Sequence, residues 1–197
     1  MEKDFEDLIV SLIANNIGES NNLLSANLSK HLKLNLLKLY DSKSLRPAGI
    51  GNLEILNYNK LIRSDTIYWL DKKHNDLYEN AYFKIIEDFI RYLNMTCYTG
   101  ISDYEFHYSL YEVGSFYKKH IDQFQNDGNR QYSVISYLNE DWKLGDGGEL
   151  MINNNNEDQL ISPLNMKTVL FKSNELEHEV LITNKRRMSV TGWLKST

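Results

Sequence analysis

A chain of 197 residues, 42% hydrophobic and 12% aromatic, is long enough to bury one sizeable core, so a single domain accounts for it. The net charge of −5 is spread along the sequence rather than gathered in a tail, which argues against a nucleic-acid backbone or a membrane surface as the main partner. Cys97 is the only cysteine, so no intramolecular disulfide can form and the expected location is cytoplasmic.

The N-terminus, MEKDFEDLIVSLIANN, carries acidic residues ahead of a short apolar run and reads as neither a signal peptide nor a transmembrane helix. Leu8, Ile9, Leu12 and Ile13 form one helical stripe. Leu23, Leu24, Leu28, Leu32, Leu36, Leu37 and Tyr40 suggest a second helix, with Asn21 or Asn22 as its cap. SLRPAGIGN (44–52) is a breaker cluster that leads into an extended stretch ending LIRSDTIYWL (61–70). DKKHNDLYENAY (71–82) follows as a segment that could flank the entrance to a site. Tyr82, Ile85, Ile86, Phe89, Ile90 and Leu93 predict a third helix over about 76–94, with a face that reads as core rather than as a cofactor-binding surface.

From Ser102 the apolar period changes to two. YEFHYSLYEV (104–113), QYSVISYLN (131–139), GELMIN (148–153), TVLFKS (168–173), HEVLIT (178–183) and RRMSVTGWLK (186–195) read as strands, and NNNNEDQ (153–159) as a hairpin or loop. So many short strands in succession predict an α+β, mainly β architecture with a barrel or jelly-roll core, packed by helices from the N-terminal half.

Within that core FYKKHIDQF (116–124) places His120 and Asp122 on alternate positions. On an extended strand such residues project to one face, so an imidazole nitrogen and a carboxylate oxygen can meet at one point. A metal held by two histidines and one carboxylate keeps its opposite positions open, which suits non-haem Fe(II). His178 is the preferred second histidine because it opens a strand after the polar turn SNELE; His107 is the competitor, facing the same way as Glu105, Ser109 and Tyr111. His31 and His74 read as surface residues.

Arg187 lies nine residues after His178. Alternation along the last strand puts Arg187, Ser189, Thr191 and Trp193 on one face and Met188, Val190, Gly192 and Leu194 on the other, against the helices. A guanidinium facing the interior can clamp a carboxylate in bidentate fashion, as a dicarboxylate co-substrate chelating a metal at its other end requires. Arg186, on the opposite face, reads as half of a surface ion pair. In GDGGEL (145–150) the glycines are read first as a turn.

His-x-Asp, the distant histidine and the arginine, set in SLYEVGSFYKKHID and SYLNEDWKLGDGGEL, resemble the Fe(II)- and 2-oxoglutarate-dependent prolyl 4-hydroxylases, most of all the bacterial relatives of the hypoxia-inducible-factor prolyl hydroxylases. The similarity runs over about 44–195, because RPAGIG and IRSDTIYWLD also resemble segments ahead of the family's catalytic barrel. The resemblance implies a double-stranded β-helix and one dioxygenase domain over 1–197, with 1–98 as helical support and leading strands and 99–197 as the catalytic core.

By the same resemblance His120, Asp122 and His178 match the metal triad and Arg187 matches the residue that binds the distal carboxylate of 2-oxoglutarate. Tyr137 matches a tyrosine that bonds the same carboxylate, Tyr111 a second active-site tyrosine, and Arg130 an arginine near the pocket mouth that contacts substrate. Thr191 and Trp193 match pocket-lining positions. Fe(II), 2-oxoglutarate and O₂ are the implied cofactor and co-substrates, with ascorbate as a reductant. The implied partner is a protein or peptide carrying a target proline, with the translation machinery as a candidate source. A hydroxylase of a free amino acid and a non-catalytic cupin-like barrel remain open as alternatives, since jelly rolls host many functions.

Overall fold

The computed structural model describes residues 1–49, 61–123, 128–154 and 157–196. Three α-helices, α1 (Glu2–Asn15), α2 (Ala26–Asp41) and α3 (Leu77–Cys97), fall where the helical stripes were read. The cap of α2 differs from expectation: Ser25, not Asn21 or Asn22, receives the Leu28 amide. Leu23 and Leu24 lie in the turn before the helix and are buried there, so their apolar spacing serves the core without being helical. Asp76 caps α3 by accepting from the Tyr78 and Glu79 amides at 2.9 Å each. These bonds satisfy donors that a helix start leaves orphaned.

The strands are β1 (Ile17–Ser20), β2 (Arg46–Pro47), β3 (Thr66–Trp69), β4 (Asp103–Tyr111), β5 (Tyr117–His120), β6 (Arg130–Tyr137), β7 (Leu150–Asn154), β8 (Glu157–Ile161), β9 (Thr168–Lys172), β10 (His178–Val180) and β11 (Arg187–Lys195). One antiparallel sheet runs β1-β9-β6-β11-β4-β3-β2 and a second runs β5-β10-β7-β8. This is the jelly-roll, double-stranded β-helix arrangement, mainly β with three α-helices among the described residues.

Several elements are shorter or additional. The extended stretch narrows at 61–70 to β3, and HEVLIT narrows to β10; NNNNEDQ, read as a hairpin or loop, carries the end of β7 and the start of β8, which pair as a hairpin. Ile50–Asn52, the end of the breaker cluster, lie outside the described residues. Segment 71–82 forms a short 3-10 turn (Lys72–His74) and the first turns of α3.

The large sheet separates two cores. Its outer face, including Phe106, Tyr108, Leu110, Val134, Leu170, Met188, Val190 and Leu194, packs on the helical residues Phe5, Leu8, Leu32, Leu36, Ile86 and Phe89. Tyr137, Ile135, Val169 and Phe171 face inward, against Leu150, Ile152, Ile161 and Val180 of the smaller sheet. Burying each such Leu, Ile or Phe stabilises the fold by roughly 1.5–3 kcal/mol. The β11 alternation therefore splits as expected, with Met188, Val190 and Leu194 toward the helices. Gly192 lies where a Cβ would stand 2.1 Å from the Glu105 carbonyl oxygen, so a side chain there would break the β4–β11 contact.

Candidate metal centre

Strand β5 ends at His120, β10 begins at His178, and antiparallel pairing sets these two residues opposite one another. Asp122 is not on the strand, as the alternation argument required, but in a bend just beyond it. The bend still returns its carboxylate to the same point. Oδ1 lies 3.3 Å from His120 Nε2 and Oδ2 lies 3.5 Å from His178 Nε2, and the three donor atoms all fall within 4.8 Å of one another.

Each imidazole is oriented through its other nitrogen. His120 Nδ1 is 2.8 Å from the Lys118 carbonyl and His178 Nδ1 is 3.0 Å from the Leu176 carbonyl. A carbonyl only accepts, so both Nδ1 atoms donate and both Nε2 lone pairs are left facing Asp122 when the rings are neutral. The Ser133 hydroxyl donates to Asp122 Oδ2 at 2.7 Å and is itself 2.9 Å from Ser173 Oγ.

Burial pushes the His178 imidazole down to about 4, against the pull of Asp122. Burial also opposes ionisation of Asp122, but the imidazoles and the Ser133 hydroxyl outweigh it and hold the carboxyl below the usual range. At neutral pH the group therefore presents a neutral His178 and a carboxylate. That donor set fits Fe(II).

Arg187 is 2% exposed. Nε donates to the Gly148 carbonyl at 2.9 Å and NH2 to the Tyr137 hydroxyl at a long 3.4 Å. Its Cζ stands 4.9 Å from the Tyr111 ring centre and 5.0 Å from that of Tyr137. Among the described residues no carboxylate lies within 4.0 Å of it, although Arg63, Arg130 and Arg186 each have one. A buried guanidinium without a counter-ion is costly unless something anionic joins it. Tyr111 and Tyr137 belong to the interior cluster that also holds Phe171, whose ring is 4.8 Å from that of His178, so the guanidinium and the His120–Asp122–His178 cluster border one interior. Burial raises both phenols, leaving them as neutral hydroxyls.

The remaining expected residues are more dispersed. Thr191 Oγ1 is 3.0 Å from Ser189 Oγ. Trp193 is buried, and its Nε1 has no hydrogen-bond partner among the described residues. Arg130 lies 3.4 Å over the Trp193 ring, is paired with Glu105 at 2.7 Å, and donates through NH1 to the Asp122 carbonyl at 3.2 Å. His107 is buried against Trp69 and Trp193, with Nδ1 3.1 Å from Ser109 Oγ, outside the cluster of three. His31 stacks on Tyr78 and His74 pairs with Glu79, both away from the centre. Arg186 pairs with Glu112 and covers Tyr40.

Three features escaped the sequence reading. Ser133 shares the inward face of β6 with Ile135 and Tyr137, so period two alone would have found it. Gly148 is more than a turn residue, because its carbonyl fixes Arg187. Arg63, held by Asp65 through two hydrogen bonds of 2.8 and 2.7 Å, reaches the centre through Tyr117, and no local pattern signals that.

Residues 106–195 match the family model described as the 2OG-Fe(II) oxygenase superfamily, a stretch that includes every site residue expected from the sequence. A Pseudomonas putida prolyl-4-hydroxylase is similar at 28% identity and TM-score 0.88, over 98% of this chain and 99% of that one. A Trichoplax adhaerens prolyl hydroxylase, solved with a hypoxia-inducible-factor oxygen degradation domain peptide fragment, is similar at 25% identity and TM-score 0.88, over 99% of this chain and 90% of that one. A prolyl 4-hydroxylase structure from Phytophthora capsici, at 18% identity and TM-score 0.77 over 100% of this chain and 65% of that one, bears on the fold alone. No helix among the described residues is long and apolar enough to cross a membrane.

Proposed function

We propose that this chain, which belongs to the 2OG-Fe(II) oxygenase superfamily, hydroxylates a prolyl residue in a protein or peptide. It is an oxidoreductase dioxygenase of the family that uses Fe(II), 2-oxoglutarate and O₂. The prolyl substrate is carried over from the Pseudomonas and Trichoplax enzymes, the second of which was solved with a peptide. We read the whole chain as one unit, because helices of the first half pack on the outer face of the large sheet.

His120, Asp122 and His178 would hold the metal through Nε2, a carboxylate oxygen and Nε2. Iron held there would supply the oxidising power for the family's reaction, in which 2-oxoglutarate would give succinate and CO₂, one oxygen atom of O₂ would enter succinate and the other would enter a substrate C–H bond. Arg187 would neutralise the far carboxylate of 2-oxoglutarate, with the Tyr137 hydroxyl beside it and Tyr111 closing the wall. Thr191 and Trp193 would line the pocket, and Arg130 would meet substrate at its mouth. The observation that carries this reading is the buried Arg187, with no carboxylate beside it among the described residues, bordering the same interior as a two-histidine, one-carboxylate cluster. A non-catalytic metal-binding barrel has no use for such a cation.

The test begins with an anaerobic titration with Fe(II) and then 2-oxoglutarate, in which chelation by the 2-oxo acid gives a weak visible charge-transfer band. Candidate proteins, those of the translation machinery first, are then incubated aerobically and searched by mass spectrometry for a one-oxygen gain on proline. Failure of the band would overturn the co-substrate site. Turnover of 2-oxoglutarate stimulated by a free amino acid, and by no protein, would move the substrate to the small-molecule class.

A further inference from the structure

The metal-site histidine His120 is one layer of a stack that begins on a distant segment of the chain. Its ring lies 3.6 Å from that of Tyr117, centre to centre, with the planes 18° apart. The Arg63 guanidinium lies 4.1 Å from the centre of the same Tyr117 ring. Two groups that close to one ring centre cannot share a face, so Arg63 and His120 cover opposite sides of Tyr117. Arg63 is not free to drift. Nε and NH2 make a fork to the two oxygens of Asp65, whose side chain is fully buried, and NH1 donates to the Gly49 carbonyl at 3.2 Å. Backbone contacts tie the two segments together: Arg63 and Tyr117 form an isolated bridge, Ser64 N–H donates to Phe116 O, and Lys118 N–H donates to Ile62 O.

We propose that Arg63 and Tyr117 are positioning residues for the metal centre, a guanidinium–phenol–imidazole stack that fixes the plane of the His120 ring and aims Nε2 at the metal. The proposal rests on the reading of His120 as a ligand. The Lys118 carbonyl alone fixes one atom of the ring and leaves rotation about that hydrogen bond; the Tyr117 face removes it. The plane matters because a metal–nitrogen bond is strongest along the lone pair, which lies in the ring plane, and partners of a ligand that set its orientation are worth about 10–100-fold in metal affinity. Arg63 acts at one remove, holding Tyr117 flat against the imidazole.

The experiment is a titration of the metal-free protein with Co(II) alone, recording affinity and the visible ligand-field spectrum at saturation, for the wild type, Tyr117→Phe, Tyr117→Leu and Arg63→Lys. Tyr117→Phe keeps the aromatic face and should retain wild-type affinity and spectrum. Tyr117→Leu should bind Co(II) about 10-fold or more weakly, with altered band positions even when saturated. Arg63→Lys, which keeps the charge but loses the flat fork, should move both readouts the same way by a smaller factor, and it decides the matter if Tyr117→Leu does not fold. A folded Tyr117→Leu or Arg63→Lys protein with wild-type affinity and spectrum overturns the stack while leaving the metal centre standing. Absence of Co(II) binding by the wild type overturns the metal centre and the stack with it.

Discussion

His120 and His178 face each other across the β5–β10 ladder with ring centres 4.2 Å apart, though 58 positions separate them in the chain (120 to 178). Strand pairing places them, and the bend after β5 adds Asp122. The two apolar clusters are built from other residues, so removing one of the three should cost metal and leave the fold.

His120→Ala, Asp122→Ala and His178→Ala should each lower Fe(II) affinity by more than the ~10–100-fold that loss of an outer partner costs. Circular dichroism should show native secondary structure. Anaerobic Fe(II) titration checks this, and undiminished affinity in all three variants would end the assignment.

Arg187→Ala should leave metal binding in place and weaken 2-oxoglutarate. A charge-assisted contact is worth about 1.5–3 kcal/mol, so a loss of about 10–150-fold is expected. Arg187→Lys keeps the charge without the fork and should fall between. The build-up of the charge-transfer band with 2-oxoglutarate is the measurement, and an unchanged curve would take the co-substrate away from this side chain.

Because the Arg187 guanidinium is buried with no carboxylate within 4.0 Å among the described residues, 2-oxoglutarate should stabilise the metal-loaded protein. At 100 times its Kd, linkage gives about 2.7 kcal/mol, readable as a rise in Tm with Mn(II) in place of iron. At the same ligand concentration Arg187→Ala, weaker by about 10–150-fold, should keep only about 0.3–1.4 kcal/mol of it, so the rise should shrink accordingly.

Gly148 has φ +71°, and a Cβ there would stand 2.9 Å from both Thr183 Cβ and Oγ1 and 3.2 Å from Arg187 Cδ. Gly148→Ala should cost about 1–2 kcal/mol from the left-handed backbone alone, with the crowding added. It should also weaken 2-oxoglutarate binding more than metal binding, because the carbonyl that fixes Arg187 Nε is displaced. Urea unfolding and the two titrations separate these effects, and equal loss of both ligands would point to general damage.

His107 is pushed down to about 4 by burial first and by Arg63 next, and His178 to about 4 by burial. In the unfolded chain an imidazole titrates near ~6.5. Between those values the unfolded state binds protons that the fold refuses, so stability of the metal-free protein rises with pH across this window and is lost as pH falls through it. Asp122 acts in the same direction at lower pH: its depressed folded value gives stability that is present above the ordinary carboxylate range and lost as pH falls through it. Urea unfolding at pH 7, 6 and 5 should show the decline, and His107→Gln should reduce the slope by up to about 1.4 kcal/mol per pH unit. A slope untouched by that change would mean that His107 titrates normally.

The sequence by itself determined whatever depends on local period and side-chain chemistry. The apolar stripes located three helices, alternation along β11 separated Arg187 and Ser189 from Met188 and Val190, and the types and spacing of His120, Asp122, His178 and Arg187 pointed to a metal and a dicarboxylate. Helix and strand periods are properties of neighbouring residues, so they can be read in one dimension. Caps and ends were less legible: Leu23 and Leu24 mimic a helix because burial in a turn also demands apolar side chains. The sequence also preferred His178 to His107, but only the tertiary structure decided that strand pairing sets His178 opposite His120, that the Gly148 carbonyl fixes Arg187, and that Arg63 reaches His120 through Tyr117. Each depends on strand register or loop path, set by packing between segments tens of residues apart, and such contacts leave no period in the sequence.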